Sequence, residues 1–485
     1  MKVGSYQTST PPLPGNNSTT LSGRALWLSF AAATTGTFMV NVDASVVNVA
    51  LPTMQHQFAL PIATLQWVVT GYLLIITGIL PVMGQLADRL GRSRIFVAGI
   101  GIFTLGSLFS ALSPTFTLLV ISRIFQGLGG AIIQANVMAI VTMTFPANQR
   151  GKALGMIGSV VAAGTLAGPP IGGILTGAFG WPSIFWINIP VGLWGLWGSY
   201  HYLPKIAPEP SVAKTPFDWN GALLFLGGVA LIQFGLADLH QWIGMALVAA
   251  AAVVVWFFIW WEKRMKKPLV PLRLFAVPAF SSNMIAGIMY WILMMFPAFL
   301  LPFFLRTEMH LSEGLIGLSL VPQAAVMVLV SPIGGQLADR YGILLPARLG
   351  LVVFAVVDST MALFTTAQTS LWFIWVLLGF QGLAAGLFTS PNNTAMISSV
   401  PRKDTGMASS LIASQRNMGR ALGVGLSAEL LSLIWVIHGL GANPSQTSPS
   451  YPHWFLMAFH GVFLIGVLFA AIGWITTKPA QPPSN

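Results

Sequence analysis

The chain contains no cysteine, so it can form neither disulfide bonds nor thiolate metal sites. Charged residues are also scarce, at 7% of 485 residues against roughly 25% in ordinary soluble domains. A phosphate-binding loop of the Walker type is missing, and we expect no cofactor, no metal site and no enzyme activity. The first 24 residues lack the basic segment and short apolar core of a signal peptide, so the first apolar stretch is expected to stay as an anchor.

Apolar residues make up 55% of the chain and are gathered in about 14 stretches, each long enough to cross a bilayer as a helix. The stretches lie at about 25–50, 61–87, 95–113, 115–144, 150–180, 184–203, 217–238, 242–262, 279–305, 312–338, 346–366, 369–399, 404–437 and 454–477. The sequence therefore predicts an all-α polytopic membrane protein with about 14 transmembrane helices.

Basic residues alternate between the loops. Of the 23 Lys and Arg residues, 19 fall near the chain ends or in every second loop, and Arg306 alone lies in the opposite loops. Lys and Arg concentrate in cytoplasmic loops, so this asymmetry predicts that both termini are cytoplasmic. The net charge of +11 is thus explained by topology, and nucleic acid is not an expected partner.

The sequence repeats itself half a chain apart. GQLADRLG at Gly84–Gly91 returns as GQLADRYG at Gly335–Gly342, and Ile124–Asn136 is similar to Gly379–Asn392. Internal repeats of this kind predict two related halves of six spans each, with two extra spans between them. The predicted order is a cytoplasmic tail (1–24), a six-helix bundle (25–203), a linker with two extra helices and a basic loop (204–278), a second six-helix bundle (279–477) and a cytoplasmic tail (478–485).

The linker ends in a basic segment, Glu262–Phe275, in which apolar residues separate the charges. This composition is typical of segments that lie on an anionic membrane surface. We therefore expect the segment to lie on the inner leaflet, with membrane lipids as its partners.

Five motifs point to one family. They are NVDASVVNVALP (Asn41–Pro52), GQLADRLGRSR (Gly84–Arg94), RIFQGLGGA (Arg123–Ala131), GTLAGPPIGG (Gly164–Gly173) and WPSIFWINIPVG (Trp181–Gly192). In this order they resemble the motifs of a major facilitator superfamily transporter, specifically of the 14-span drug:proton antiporter family. The resemblance implies the major facilitator fold, with two six-helix bundles and two inserted helices.

For function, the resemblance implies a proton-coupled antiporter that exports hydrophobic or cationic drugs or antiseptics across the bacterial cytoplasmic membrane by alternating access. Its expected partners are small-molecule substrates, protons and lipids, and the protein is expected to be a monomer. Two alternatives stay open: a dedicated exporter of a single metabolite, peptide or lipid, and a non-transporting membrane sensor or scaffold.

The repeated hinge motif joins two spans through a short charged turn. Asp88 can accept hydrogen bonds from a helix N-terminus or pair with arginine, and glycines permit a tight turn. We expect a conformational latch formed by Gly84, Asp88, Arg89, Gly91 and Arg92, with a weaker copy at Asp339 and Arg340. The alternative is that the charges only set topology.

The motif in the fifth span carries small residues at four-residue spacing. Small faces allow helix backbones to approach closely, and proline interrupts the helical hydrogen bonds. The resemblance implies an antiporter motif, which seals the pathway, at Gly164, Gly168, Pro169, Gly172 and Gly173. A plain packing face is the alternative.

Ionisable side chains within the spans are costly and therefore point to function. Asp43 lies within a family motif, and a buried carboxyl can take up a proton and release it elsewhere. We predict that Asp43 and Arg123 couple transport to protons, although either could instead have a structural role. Asp358 and Glu429 are candidates for cation recognition or for ion pairing with one of the arginines of the thirteenth span.

Polar and aromatic side chains within the spans could line a substrate cavity, although aromatic residues are equally typical of core packing or lipid contact. The candidates are Asn136, Tyr290, Trp291, Gln323, Asp358, Asn392, Asn393 and Glu429.

Overall fold

The computed structural model describes residues 23–206, 217–265, 268–401, 404–445 and 448–479. The predicted tails lie outside the described residues except for 23–24 and 478–479. Nearly all of the described chain is helical. The first half consists of α1 (Gly23–Phe58), α2 (Ile62–Leu90), α3 (Arg92–Ala111), α4 (Phe116–Thr144), α5 (Ala147–Phe179) and α6 (Asn188–Tyr202). The inserted pair is α7 (Trp219–Leu236) and α8 (Trp242–Glu262), and the second half consists of α9 (Pro278–Thr307), α10 (Glu313–Tyr341), α11 (Leu344–Phe364), α12 (Leu371–Ser398), α13 (Thr405–Ile437) and α14 (Tyr451–Thr476).

Thirteen helices of the described chain are long and apolar enough to cross a membrane. The remaining predicted span, 184–203, is divided into a single turn (Ser183–Trp186) followed by α6, which has 15 residues. Pro190 lies in the first turn of α6 and has no N–H to donate to Trp186, so the helix restarts here rather than continuing. The prediction of an all-helical membrane protein is confirmed.

The two halves repeat one packing pattern. In the first half α1 packs on α5 and α6, α4 packs on α2 and α3, and α3 packs on α6. Each of these pairs has a counterpart in the second half, between the helices numbered eight higher. The halves meet through α2 with α13 and through α5 with α10, which are equivalent contacts under the same exchange. A pseudo-twofold junction therefore lies between the halves, and it positions the residues described below.

The inserted pair packs on the side of this junction. Helix α7 lies against α2 and α13, with Leu226 at the small face of Gly78. In the segment that follows α8, Leu269, Val270 and Leu274 are buried in a cluster with residues of α2, α9, α12 and α13. The expectation that this basic segment lies on the lipid surface is therefore wrong for these three residues, which pack within the protein, whereas Phe275 at its end is exposed.

Candidate transport pathway and its polar sites

Asp43 and Arg123 form a buried ion pair that joins α1 to α4. The Arg123 Nη1 to Asp43 Oδ2 distance is 2.6 Å, and both side chains are at most 1% exposed. Arg123 also donates to the Val68 carbonyl through Nε, and its guanidinium lies 4.1 Å from the centre of the Tyr72 ring. The two residues that the sequence predicts to act together are therefore in direct contact.

Two amide side chains complete this site. Gln126 Nε2 and Asn188 Nδ2 donate to Asp43 Oδ1 at 2.9 and 3.0 Å, and both also donate to Ser107 Oγ. We call Asp43, Ser107, Arg123, Gln126 and Asn188 the first-half polar site. Sequence reasoning missed Ser107, Gln126 and Asn188, although Gln126 and Asn188 are the amide residues within two apolar family motifs. The carboxylate accepts hydrogen bonds from three side-chain donors and is fully buried.

In the second half, Asp358 occupies a place related to the first-half polar site. Gln381 is displaced from Gln126 by 255 residues, as in the repeat, and its Nε2 lies 3.5 Å from Asp358 Oδ1. The Asp358 carboxyl is fully buried, and Oδ2 has no hydrogen-bond partner among the described residues. An arginine equivalent to Arg123 is lacking, because Leu378 stands at that position. Asp358 therefore lies inside the second half rather than on a substrate cavity, and the predicted ion pair with an arginine of α13 is absent.

Glu429 holds the loop between the inserted helices. Its Oε1 accepts hydrogen bonds from the backbone N–H of His240 at 2.8 Å and from His240 Nδ1 at 3.0 Å. The side chain is 1% exposed. Glu429 thus links α13 to the α7–α8 loop, and the structure gives it no place in a cavity.

The other predicted cavity residues do not lie together. Trp291 is half-buried and lies at the junction, where the guanidinium of Arg420 sits 4.7 Å from its ring centre. Three are held within the second half: Tyr290 by Thr389, Gln323 by Gln381 and Asn392 beside Met396. Asn393, next along α12, is half-buried and makes no hydrogen bond through its side chain to a described residue. Asn136 lies under the hinge motif, where its Oδ1 accepts from Arg92 Nη1 at 3.3 Å.

The small residues of α5 face two different helices. Gly164, Gly168 and Gly172 pack against α1, whereas Gly173 packs against Gly317 and the Glu313 carbonyl of α10, in the other half. The Pro169 carbonyl also lies against Gly317. We call the face of the molecule where α1 begins and α14 ends the terminal face, and the other one the opposite face. The glycine contacts close the junction between α5 and α10 at the opposite face.

Towards the terminal face the glycine positions of α5 have no packing partner, although Ala153 and Ile157 on the same stretch are buried. A Cβ atom placed on Gly151, Gly155 or Gly158 would meet nothing within 4 Å. Between α5 and α10 the two halves therefore touch at the opposite face and diverge towards the terminal face.

The hinge motif ties together helices of the first half. Asp88 Oδ1 lies 2.5 Å from Arg92 Nη2, across a turn at Gly91, where φ is 98°. A φ in this range favours glycine, because other residues clash there. Arg89 lies over the Phe217 ring at 5.1 Å, and a Cβ atom added to Gly84 would meet nothing within 4 Å. In the second copy, Asp339 is exposed and makes no ion pair with a described residue, and Arg340 lies over the ring of Tyr341.

Replacing Asp88 with Asn should slow transport by at least about tenfold while substrate affinity stays near normal. A hydrogen bond to a charged partner contributes about 1.5–3 kcal/mol, and losing this one at a hinge changes the balance between conformations. Initial transport rates and equilibrium binding to the purified protein measure the two effects. Asp339→Asn is the matched control, and it should change neither. Equal losses of binding and rate in the Asp88 variant would show that the latch hypothesis is wrong.

Comparisons with known proteins agree with this architecture. The family model described as Major Facilitator Superfamily matches residues 33–282 and 279–485. The riboflavin transporter RibZ of Clostridioides difficile (strain 630) is 35% identical over 402 residues, which are 82% of this chain and 86% of that protein. The tetracenomycin C resistance and export protein of Streptomyces glaucescens is 30% identical over 430 residues, covering 85% and 77% of the two chains.

A third relative and a solved structure complete the comparison. The multidrug resistance protein Stp of Mycobacterium tuberculosis (strain ATCC 25618 / H37Rv) is 32% identical over 416 residues, covering 84% of this chain and 76% of that protein. The crystal structure of a bacterial homolog to the human lysosomal transporter Spinster, in an inward-facing and unoccupied conformation, is 17% identical with a TM-score of 0.67 and covers 94% and 98% of the chains. That likeness supports the fold alone. The chain belongs to the Major Facilitator Superfamily, and its relatives include drug efflux transporters.

Proposed function

We propose that this protein is a proton-coupled antiporter that exports small organic molecules across the bacterial cytoplasmic membrane. The main support for this proposal is the pseudo-twofold junction. Gly173 and Gly317 close it at the opposite face, and the glycines of α5 have no packing partner at the terminal face. Two packed halves that can rock about such a junction expose it to one side at a time, which is alternating access. The terminal face is the cytoplasmic one in this proposal because the basic loops lie there.

The printed names of the relatives support an organic substrate. They include a riboflavin transporter, a tetracenomycin C export protein and a multidrug resistance protein. The family resemblance implies a preference for cations, and Asp358 and Glu429 were the candidate residues for recognising one. Both carboxyl groups are held inside the protein, so our proposal keeps the hydrophobic organic substrate and assigns no cationic preference.

Proton coupling is assigned to Asp43 with Arg123. Protonation of Asp43 would turn a buried ion pair into a neutral acid and a free guanidinium, and so would weaken the link between α1 and α4. Asp358 is the second candidate, favoured by its unpartnered Oδ2 atom and the lack of a neighbouring arginine. No step of the cycle requires a cofactor in this proposal.

Proteoliposomes with an imposed pH gradient test the proposal. A resistance screen in an efflux-deficient host, with riboflavin and tetracenomycin C included, first supplies a transported compound. We expect addition of that compound to dissipate the gradient as protons move in the opposite direction to the substrate. Liposomes with the Asp43→Asn variant are the control.

Three results would count against the proposal. Substrate and protons accumulating on the same side would indicate symport. Transport of one compound only would favour a dedicated exporter. A protein that moves no compound at all would favour a sensor or scaffold.

A further inference from the structure

Helix α13 carries two arginines at the junction between the halves. Arg416 and Arg420 are one turn apart, so they lie on the same face of the helix. Arg416 Nη2 donates to Gln134 Oε1 at 3.0 Å, and Asn417 Nδ2 donates to the same oxygen at 3.1 Å. Gln134 belongs to α4 in the first half. This face of α13 therefore looks across the junction and not into the core of its own half.

Neither arginine is neutralised by a described acid. Arg420 is 8% exposed, makes no hydrogen bond to a described residue, and has a buried Nε atom without an acceptor. Arg416 has only the neutral amide of Gln134. The three acids well inside the spans are engaged elsewhere: Asp43 with Arg123, Asp358 with Gln381 and Glu429 with His240. The junction thus holds two positive charges in excess.

Arg420 lies against an aromatic ring. The Arg420 guanidinium lies 4.7 Å from the centre of the Trp291 ring. The Tyr72 hydroxyl is buried without a hydrogen-bond partner in the described residues. A guanidinium without a hydrogen-bond partner among the described residues and a flat indole are thus in contact between α9 and α13, and the unpartnered hydroxyl belongs to α2, which packs on α13.

We propose that this arginine pair binds the acidic group of the transported molecule, and that the substrate class is aromatic carboxylates. Arginine offers planar donors that match both oxygens of a carboxylate, and buried charges in membrane proteins are rarely left without a partner. Trp291 supplies a surface on which an aromatic ring can stack. The inference rests on the proposed transport function and specifies the substrate of the same junction.

Three probes with the same ring and different charge test the proposal. They are 2-naphthoate, its neutral amide 2-naphthamide, and 2-naphthylmethylammonium. Calorimetric titration of the purified full-length protein in an uncharged detergent should show naphthoate binding at least about tenfold more tightly than the amide, with the ammonium compound weakest. Arg420→Gln should weaken naphthoate binding at least about tenfold, and Arg420→Lys should recover part of the loss because it restores the charge.

The matched control is Arg348→Gln. Arg348 lies over the ring of Trp474 at 4.4 Å, much as Arg420 lies over Trp291, but at the terminal face on α11, and its loss should leave naphthoate binding unchanged. Folding is followed by melting temperature, which naphthoate should raise in the wild-type protein and in Arg348→Gln but not in Arg420→Gln.

The proposal is overturned if the ammonium compound binds best, if naphthoate does not bind, or if Arg420→Gln binds it as the wild-type protein does. Binding is measured without a gradient, so the result is separate from the test of antiport. If naphthoate binds but its transport moves no protons, the proposed proton coupling is contradicted and the proposed carboxylate site is supported. If the protein exports only cations in exchange for protons, the coupling is supported and the carboxylate site is contradicted.

Discussion

Replacing Asp43 with Asn is expected to abolish proton-driven export and to lower the melting temperature. The variant keeps an oxygen for Gln126 and Asn188 but cannot titrate, and it leaves Arg123 buried without a counter-ion. Breaking a buried ion pair in this way typically destabilises a protein by about 3–5 kcal/mol. Transport into acid-loaded vesicles and thermal unfolding in detergent measure the two effects.

A double variant separates coupling from folding. Asp43→Asn with Arg123→Gln removes both charges, so most of the lost stability should return while export stays absent. If this variant still exports against a gradient, the pair is structural. Asp358→Asn provides the comparison from the other half and should leave coupling intact. Loss of coupling in Asp358→Asn with retention in Asp43→Asn would reverse the two roles.

Replacing Gly173 with Ala is expected to open the junction at the opposite face and to reduce transport at least about tenfold. A Cβ atom there would overlap the Glu313 carbonyl and lie 3.0 Å from the Gly317 Cα atom, and backbone cannot move aside as a flexible side chain can. Overpacking of this kind costs about 1–3 kcal/mol, which shifts a two-state equilibrium by about 5- to 150-fold. The cost applies only to the conformation in which α5 and α10 touch.

Spin labels on an introduced cysteine pair report this shift. Gly151 lies in the second turn of α5 and Tyr341 ends α10, both are exposed, and the native chain has no cysteine to compete for label. The distance between labels at these two positions should shorten in the Gly173→Ala variant. Gly155→Ala is the control, because nothing lies within 4 Å of its added Cβ atom, and it should change neither distance nor rate. An unchanged distance in the Gly173 variant would mean that this contact does not control opening.

The sequence predicted the helices well, because apolar length is a local property. The inserted pair was expected at about 217–238 and 242–262 and is found at Trp219–Leu236 and Trp242–Glu262. The repeat displacement also relates Gln126 to Gln381, and the structure places each beside a polar group of the preceding helix. Such relations are visible in one sequence because duplication preserves spacing.

Side-chain partners were harder to foresee, because they depend on how distant helices pack. The pairing of Glu429 with His240 requires the inserted pair to lie against α13, and nothing in either helix specifies that contact. The excess charge at Arg416 and Arg420 was hidden for the same reason. From the sequence, Asp358 on a neighbouring span is a reasonable partner for either arginine. The structure shows instead that Asp358 is buried in the core of its own half.

The arginine pair has an electrical consequence for the empty carrier. Moving one elementary charge through the full membrane potential changes the free energy by about 2.3 kcal/mol per 100 mV. In alternating access the junction is connected first to one side and then to the other, so an unneutralised pair of positive charges crosses part of the field at each turnover. In the proposed export cycle, a potential that is negative inside would draw the empty junction towards the cytoplasm, where the substrate would bind. In the proposed cycle, a bound carboxylate would cancel one of the charges and reduce the work of facing outward, so the resting voltage itself would return the empty carrier to the cytoplasmic side after release.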